Sequence, residues 1–548
     1  MAAADAEVGV LIVGGGPVGL TARALLERWG VRSLLVERHH ELSPFPRARL
    51  VNVRSMEIFR QLGLDTEIAS GAFARKYGRI RFRDTLLGRE FATAAMVGVH
   101  APISESPVLG VVTSQDRLEP VLLAAADTPM RFGVELADLT EADGSVLASL
   151  VDRARGARTR VRARYVLAAD GANSTVRRLL GIDTAGPGAM GDFTTVMFDA
   201  DLSRWCAHQP AGVYLTPQGA FTPLYPEGGW AWFFPTPEDA AHATHDDWST
   251  LVSRALGLDP GRRAEVSRVQ GWVMNAFVAE RFRHGRTLLA GDAAHAVPVI
   301  GGLGLNAGLA DAHNLCWKLA AVLHGWAGPD LVDTYETERH PVARRTLRQA
   351  VDNTKLMVEV QKQRREQLGA DPEAPARQAE LPWSEQYFAQ MGLVLGVTYH
   401  SDAVLPDGGT PPEPSDAGAD SGTDAGTAAG TGTGTGTEYV PAAAPGHRMP
   451  HLWLAPGRST LDAAGEWFTL LTPDPARWEG QRATPWPLHV EALPHEHVDV
   501  CGLGPHGALL VRPDGHVGAR WREGPPDDAT LHRALAAVTV TRATPPST

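Results

Sequence analysis

The apolar positions of this chain open on a β-branched run, Val8–Val13, of the length of one buried strand. A helical pattern follows from Pro17 to Trp29, Gly30 closes it, and a second apolar run, Ser33–Val36, ends at Glu37. Between strand and helix stand Gly14, Gly16 and Gly19 in G-x-G-x-x-G spacing. Gly14 permits the tight turn, Gly16 lets the backbone approach a pyrophosphate, and Gly19 lets helix pack on strand. The helix start offers free N–H groups and partial positive charge to phosphate. Glu37, 18 residues beyond Gly19, is placed for ribose hydroxyls. Strand, turn, helix, strand and acid in that order predict a dinucleotide-binding α/β unit with a parallel sheet.

Further along, Glu41–Arg49 reads as a loop, with Pro44 and Pro46 opposing helix. Asn52–Leu62 predicts a helix ending at Gly63, and Thr113–Ala126 a capped helix. Tyr77–Phe91 and Pro102–Val112 read as extended pieces, and Phe132–Leu150 and Arg158–Ala169 as hairpin strands that run into Asp170–Gly171. From Asp192 to Val278 the chain is strand-rich and aromatic, a separate inserted sheet. Thr287–Ala290 predicts a strand entering Gly291–Asp292, followed by helices over Leu305–Leu323 and from near Val332, with helical character to about Gln390. Asp407–Tyr439 is Gly-, Thr- and acid-rich and predicts a flexible linker. Strand patterns return from Pro441 to about Val540 as a small α/β domain.

Those boundaries divide the chain into a discontinuous dinucleotide-binding domain (1–191 and 279–345, with 77–106 joining the substrate sheet) and a substrate-sheet domain (192–278). A helical connector (346–400), a linker (401–440) and a C-terminal domain (441–540) follow. With 548 residues, 44% of them apolar, the chain is an ordinary globular protein of several domains. Net charge −12 and the absence of a basic cluster argue against a nucleic-acid partner. No apolar run reaches the about 18 residues that span a bilayer, so no membrane association is expected. Cys206, Cys316 and Cys501 form neither a disulfide framework nor a metal pattern. The acidic N-terminus has no secretory pattern, and a cytoplasmic location is expected.

Two further motifs share the acid-at-strand-tip arrangement that suits sugar and phosphate at the edge of a parallel sheet: Asp170–Arg177, DGANSTVR, and Gly291–Asn306, GDAAHAVPVIGGLGLN, continuing as AGLADAHNLCWKLA. With GGGPVGL they resemble the single-component flavin-dependent aromatic hydroxylases, the class A flavoprotein monooxygenases. PRARLVNVRSMEIFRQLG, SQDRLEPVL and YETERHPVA strengthen the likeness. It is closest to the long subgroup of phenol-type hydroxylases and aromatic polyketide tailoring oxygenases, which carries a C-terminal thioredoxin-like domain. PGHRMPHLWL, STLDAAGEWFTLL and VRPDGHVGARW are similar to that domain. The fold implied is a Rossmann-like FAD-binding domain with an inserted substrate sheet and the thioredoxin-like domain.

The resemblance implies FAD, with NADPH or NADH as a transient co-substrate, O2 and an aromatic substrate. It assigns Gly14, Gly16 and Gly19 to the pyrophosphate, Glu37 and the adjacent Arg38 to the adenosine end, and Gln115 to the ribityl chain. Asp292 would bind a ribityl hydroxyl, Asp170 would sit by the pyrophosphate, and Arg47 would lie over the flavin and meet phosphates. Gly302, Gly304, Leu305 and Asn306 would approach the isoalloxazine at a helix N-terminus, whose partial charge suits the reduced ring. A flavin C4a-hydroperoxide would hydroxylate a polycyclic phenol or quinone. One departure from the family pattern is Val299, where a second proline usually follows Pro298.

Phe221, Tyr225, Trp230 and Trp232, with Phe234, are candidates for the substrate wall. Trp230, Trp232 and Phe234 alternate and share one face, either toward the flavin or toward an outer core. The stretch lacks an arginine clamp for a carboxylate, which disfavours small aromatic acids. No catalytic base is assigned, His208, His242 and His245 reading as surface residues. The same cofactor would serve a Baeyer–Villiger oxygenase. GWAWFFP is similar to a halogenase fingerprint, for which the catalytic lysine would be Lys76, and a flavin-binding protein without turnover is the non-enzymatic reading. The C-terminal domain has no CxxC and is expected to pack or dimerise, leaving monomer or homodimer open.

Overall fold

The structure is a computed structural model and describes residues 4–202, 206–238, 240–258, 263–370, 381–408, 438–481 and 485–541. In chain order the elements that carry the site are β1 (Ala6–Val13), α1 (Pro17–Arg28), β2 (Ser33–Glu37), α2 (Val53–Gln61), β3 (Arg79–Arg83) and β4 (Glu90–Ala95). Then come α3 (Gln115–Ala124), β5 (Met130–Phe132), β6 (Arg158–Ala168), α4 (Thr175–Leu179), β7 (Thr184–Asp199), β8 (Val213–Thr216), β9 (Gly219–Tyr225) and β10 (Gly228–Pro235). α5 (His245–Leu256), β11 (Glu265–Ala279), β12 (Thr287–Leu289), α6 (Gly304–Leu323) and α7 (Asp333–Ala370) follow. The chain divides into two units, Met1–Leu323 with Tyr335–Ala389, and His324–Thr334 with Gln390 onward.

The first unit is built on a parallel sheet in the order β12-β6-β1-β2-β5. Val10, Leu11 and Ile12 of β1 and Val166, Leu167 and Ala168 of β6 have no exposed surface, as strands covered on both faces require. α1 begins with Pro17, whose missing N–H removes nothing from the first turn. α2 starts one residue inside the expected stretch because the Asn52 side chain accepts from Ser55 N and caps it. Pro102–Val112, expected to be extended, has strand only at Val111–Val112.

The second sheet runs His295–Ala296, β11, β7, β10, β9, β8, β3, β4. It starts at Thr184 rather than Asp192, and it draws in β3 and β4. Its two faces differ. On the outer face Phe198, Tyr214, Phe221, Trp230, Trp232 and Phe234 pack with Trp248, Val252 and Leu256 of α5 in one buried core. Thr244 and Asp247 form a capping box that fixes the start of α5. On the inner face, alternation and register set Ala220, Thr222 and Ala231 at the centre, flanked by Phe233, Met197 and Thr195. The α7 residues Met357 and Val360, and Ile300 from the turn before α6, share a cluster with inner-face Leu215, Ala220 and Phe233.

α7 is one helix through Pro341, so the expected boundary at 345 falls inside it. In the second unit a four-stranded sheet joins Phe468–Thr472 in parallel to Leu488–Ala492 and antiparallel to Ala508–Val511, which pairs with Val517–Trp521. Leu405 N and Gly408 N donate to Gly518 and Arg520, so residues 401–408, expected in the linker, are laid along this sheet. Most of the expected linker, 409–437, lies outside the described residues. His324–Thr334, the connection between α6 and α7, belongs to this unit. The Trp326 ring meets Trp467 and Phe468, its carbonyl accepts from Trp486 Nε1 at 2.7 Å, and Gly328 N donates to Thr539.

Candidate flavin site

Three corners of the chain meet at the first turn of α1. Gly14 has φ +109° and donates to the Val36 carbonyl, and a Cβ there would lie 2.3 Å from the Ala169 carbonyl oxygen. That contact sets the first corner directly against the second, at Asp170. A Cβ on Gly19 would lie 2.0 Å from the Gly14 carbonyl oxygen, so helix and turn touch only because both residues lack side chains. Val18 of α1 in turn occupies the space beside Gly291 and Gly308, bringing in the third corner. Ala290 N donates to Ala168 O, and Arg177 donates to Ala293 O and Ala172 O, which bolts the second corner to the third.

Gly16 behaves differently from its neighbours. A Cβ on it would meet nothing within 4 Å. The space before the α1 N-terminus is therefore clear, no side chain caps that end, and its first turn carries no acid. α6 likewise has no acid in its first turn. The uncapped α1 start fits a pyrophosphate, and an α6 start without acid fits the electron-rich end of a flavin.

Glu37 accepts from Gly15 N at 2.7 Å and from His39 N at 2.9 Å, so its carboxylate stands at the turn with lone pairs to spare. Arg38 is exposed beside it. Gln115 heads α3; its amide donates to buried Glu119, whose carboxyl burial pushes up. Arg47 is exposed in the neighbouring loop. Asp170 is committed inward: it accepts from Ser174 Oγ at 2.6 Å and Val176 N at 3.1 Å, and thereby shapes the start of α4. Asp292 is the opposite case. Its side chain has open surface, yet the protein packed around it pushes its carboxyl up against the pull of His295 and Arg47.

At the ring end, Gly301 and Gly302 have φ +101° and +63°, and a Cβ on Gly302 would strike Leu50 at 2.8 Å. Asn306, expected to meet the cofactor, instead spends its side chain on protein. Its Oδ1 accepts from Asn52 N (2.9 Å) and Ser55 Oγ (2.7 Å), and its Nδ2 donates to Leu50 O (3.0 Å) and Gly302 O (2.6 Å). It is a clasp between the 50–55 segment and the Gly301–Gly302 turn. Val299 is exposed at this turn.

The aromatic wall requires correction. Phe221, Trp230 and Trp232 lie on the outer face, at most 8% exposed, where α5 covers them, so they are core residues. Tyr225, at the hairpin end, donates to Asp116, and burial and that carboxylate push its phenol up to about 12. Beside it, burial lowers Arg49 to about 10 while its guanidinium donates to the carbonyls of Pro223 and Leu224. Arg49 and Asp116 carried no sequence signal beyond their neighbourhood. His208, His242 and His245 are exposed, and Lys76 is exposed against the Tyr77 ring. Among the described residues there is no cluster able to hold a metal and no helix long and apolar enough to cross a membrane.

A glycine-built dinucleotide cradle, an exposed acid at the neighbouring corner and a helix start free of acid together suit a flavin, and the class they define is that of the flavoproteins. The FAD binding domain family matches residues 7–350, and the aromatic-ring hydroxylase C-terminal family matches 442–540. The chain belongs to the FAD-dependent aromatic-ring hydroxylases, and is a flavoprotein monooxygenase. It is 34% identical to tetracenomycin A2 monooxygenase-dioxygenase of Streptomyces glaucescens, over 97% of each chain. It is also 34% identical to aklavinone 12-hydroxylase of Streptomyces peucetius, over 88% of this chain and 95% of that one. Among solved structures, the flavin-dependent monooxygenase PieE with FAD and substrate aligns with TM-score 0.85 and 33% identity, over 98% of this chain and 100% of that one. Aklavinone-11 hydroxylase with FAD and aklavinone aligns with TM-score 0.80 and 31% identity, over the same shares.

Proposed function

We propose that this enzyme hydroxylates a polycyclic aromatic phenol or quinone of the polyketide type, with NADPH or NADH and O2 as co-substrates. The observation that carries the reading is the inner face of the second sheet. Ala220, Thr222 and Ala231 make its centre shallow, Phe233 walls one side, and Ile300 of the flavin turn belongs to the same cluster. A flat, extended ring system fits between such a face and a flavin far better than a small acid would, and the described inner-face positions of β8, β9 and β10 are uncharged. The names of the relatives, which act on tetracenomycin A2 and aklavinone, agree with that size class.

When bound, FAD would supply the redox chemistry, by which two electrons from NAD(P)H let one atom of O2 enter the ring and the other leave as water. The chain would hold the pyrophosphate at Gly14–Gly19, the adenosine end at Glu37 and Arg38, and the ribityl side at Asp292 and Gln115, with Asp170 shaping the corner beside them. Arg47 supplies positive charge over the cleft. The α6 N-terminus, Gly302–Leu305, favours negative charge on the reduced ring.

The test is NADPH and NADH oxidation by the FAD-loaded enzyme against a panel of anthracyclinone- and naphthacenone-type phenols, with product mass. Stimulated oxidation and a product one oxygen heavier with the ring system intact support the reading. No stimulation by any member, or a ring-expanded or ring-opened product, overturns it.

A further inference from the structure

Behind the Asp292 corner lies a buried cluster that none of the assignments above uses. Asp311 of α6, His295 of the corner and Arg339 of α7 are each at most 2% exposed. Asp311 Oδ2 accepts from Gly291 N at 3.0 Å and lies 2.6 Å from His295 Nε2; its Oδ1 accepts from Arg339 Nε at 2.8 Å. Arg339 also donates to the Ala307 carbonyl in the first turn of α6, four residues before Asp311. The Phe282 ring stacks on His295 and closes the cluster on that side.

We propose that Asp311 is a positioning residue for the flavin: one carboxylate sets the Gly291–Asp292 corner against the first turn of α6, fixing the ribityl-side acid relative to the helix end that faces the ring. Three donors from three elements converge on two oxygens. Only a carboxylate offers enough lone pairs for them, and it stays ionised because His295 and Arg339 offset the penalty of burial. A second buried pair on the same two helices supplies the contrast. Lys318 Nζ lies 2.7 Å from Glu338, which also accepts from Asn314. That pair joins helix to helix, whereas Asp311 joins both helices to the binding turn.

The inference rests on the assignment of Asp292 to the flavin, and the experiment separates the two. Apo-protein of the wild type and of Asp311→Asn, Lys318→Met and Asp292→Asn is titrated with FAD, following flavin fluorescence and the visible band of the bound form, with thermal melts alongside. Asp311→Asn is expected to weaken FAD at least tenfold and to shift the visible band. Lys318→Met is expected to lower the melting temperature while leaving FAD affinity within twofold and the band unmoved. Wild-type affinity and spectrum in Asp311→Asn, or equal weakening in Lys318→Met, overturns the proposal. Should Asp311→Asn fail to fold, Arg339→Lys decides, since it keeps the charge but loses the reach to Ala307; an unchanged FAD affinity and band there also overturns it. Unaltered FAD binding in Asp292→Asn refutes the site assignment instead.

Discussion

Replacing Asn306 by alanine removes four hydrogen bonds at once. Leu50 O, Gly302 O, Asn52 N and Ser55 Oγ all lose their partner at a position 5% exposed. Each buried group left unmet costs roughly 1–3 kcal/mol, and water entering the vacated space recovers part of that. A loss of about 2–5 kcal/mol is expected, concentrated on the tie between the 50–55 segment and Gly302. Because Gly302 must hold a left-handed conformation beside Leu50, slackening this tie lets the flavin turn sample other geometries. FAD affinity should therefore fall at least tenfold, which about 1.4 kcal/mol of the loss accounts for. Ser55→Ala, which removes one bond and leaves the Asn52 contact, should lose about 1 kcal/mol and change FAD affinity much less. Equilibrium titration of apo-protein with FAD, paired with thermal melts, measures both. An Asn306→Ala protein that melts and binds FAD like the wild type refutes the clasp.

Asp292 is predicted to trade stability for binding. Burial holds its carboxyl above the ordinary range, so the folded state favours the protonated form, and that contribution is present below about pH 4 and lost as the pH rises through the folded value. Asp292→Asn should thus raise the melting temperature of FAD-free protein near neutral pH, with the gain vanishing toward about pH 4. Tyr225, with its phenol pushed up to about 12, should stay neutral through about pH 10; the stability its neutral form provides is lost only as pH climbs through that higher value. Ultraviolet-difference titrations of wild type and Tyr225→Phe should then coincide until that range, and an earlier divergence contradicts the Asp116 contact. Trp232→Ala, on the outer face, should destabilise by about 3–5 kcal/mol and leave the KM for substrate unchanged. Ala231→Phe, one residue away on the inner face, should raise that KM sharply with FAD affinity intact; steady-state kinetics distinguish the two faces.

The dinucleotide corner was legible because glycine there answers to sterics that few other residues satisfy. Gly14 and Gly19 stand 2.3 and 2.0 Å from backbone oxygens once a Cβ is added, and spacing alone expresses that constraint. Alternation told that Trp230, Trp232 and Phe234 share a face, but which face depends on α5, whose sequence gives no hint of where it docks. Asn306 and Asp311 were hidden for a related reason. Their partners, at 50–55 and at 291, 295 and 339, come from distant parts of the chain, so no local pattern reveals them. The helix from near Val332 was legible from its apolar spacing, and α7 runs from 333 to 370 straight through Pro341.

The second unit takes part of its core from the middle of the chain. Trp326 leaves the ribosome long before Trp467, Phe468 and Trp486, and Gly328 waits for Thr539. At about 5–20 residues per second, the intervening synthesis lasts roughly 10–40 s. During that interval the nascent chain carries a tryptophan-bearing hairpin loop without its hydrophobic partners, a natural target for chaperones and proteases. Nonsense mutations or late stalls would therefore expose the α6–α7 connection in the middle of the polypeptide, far from the missing end.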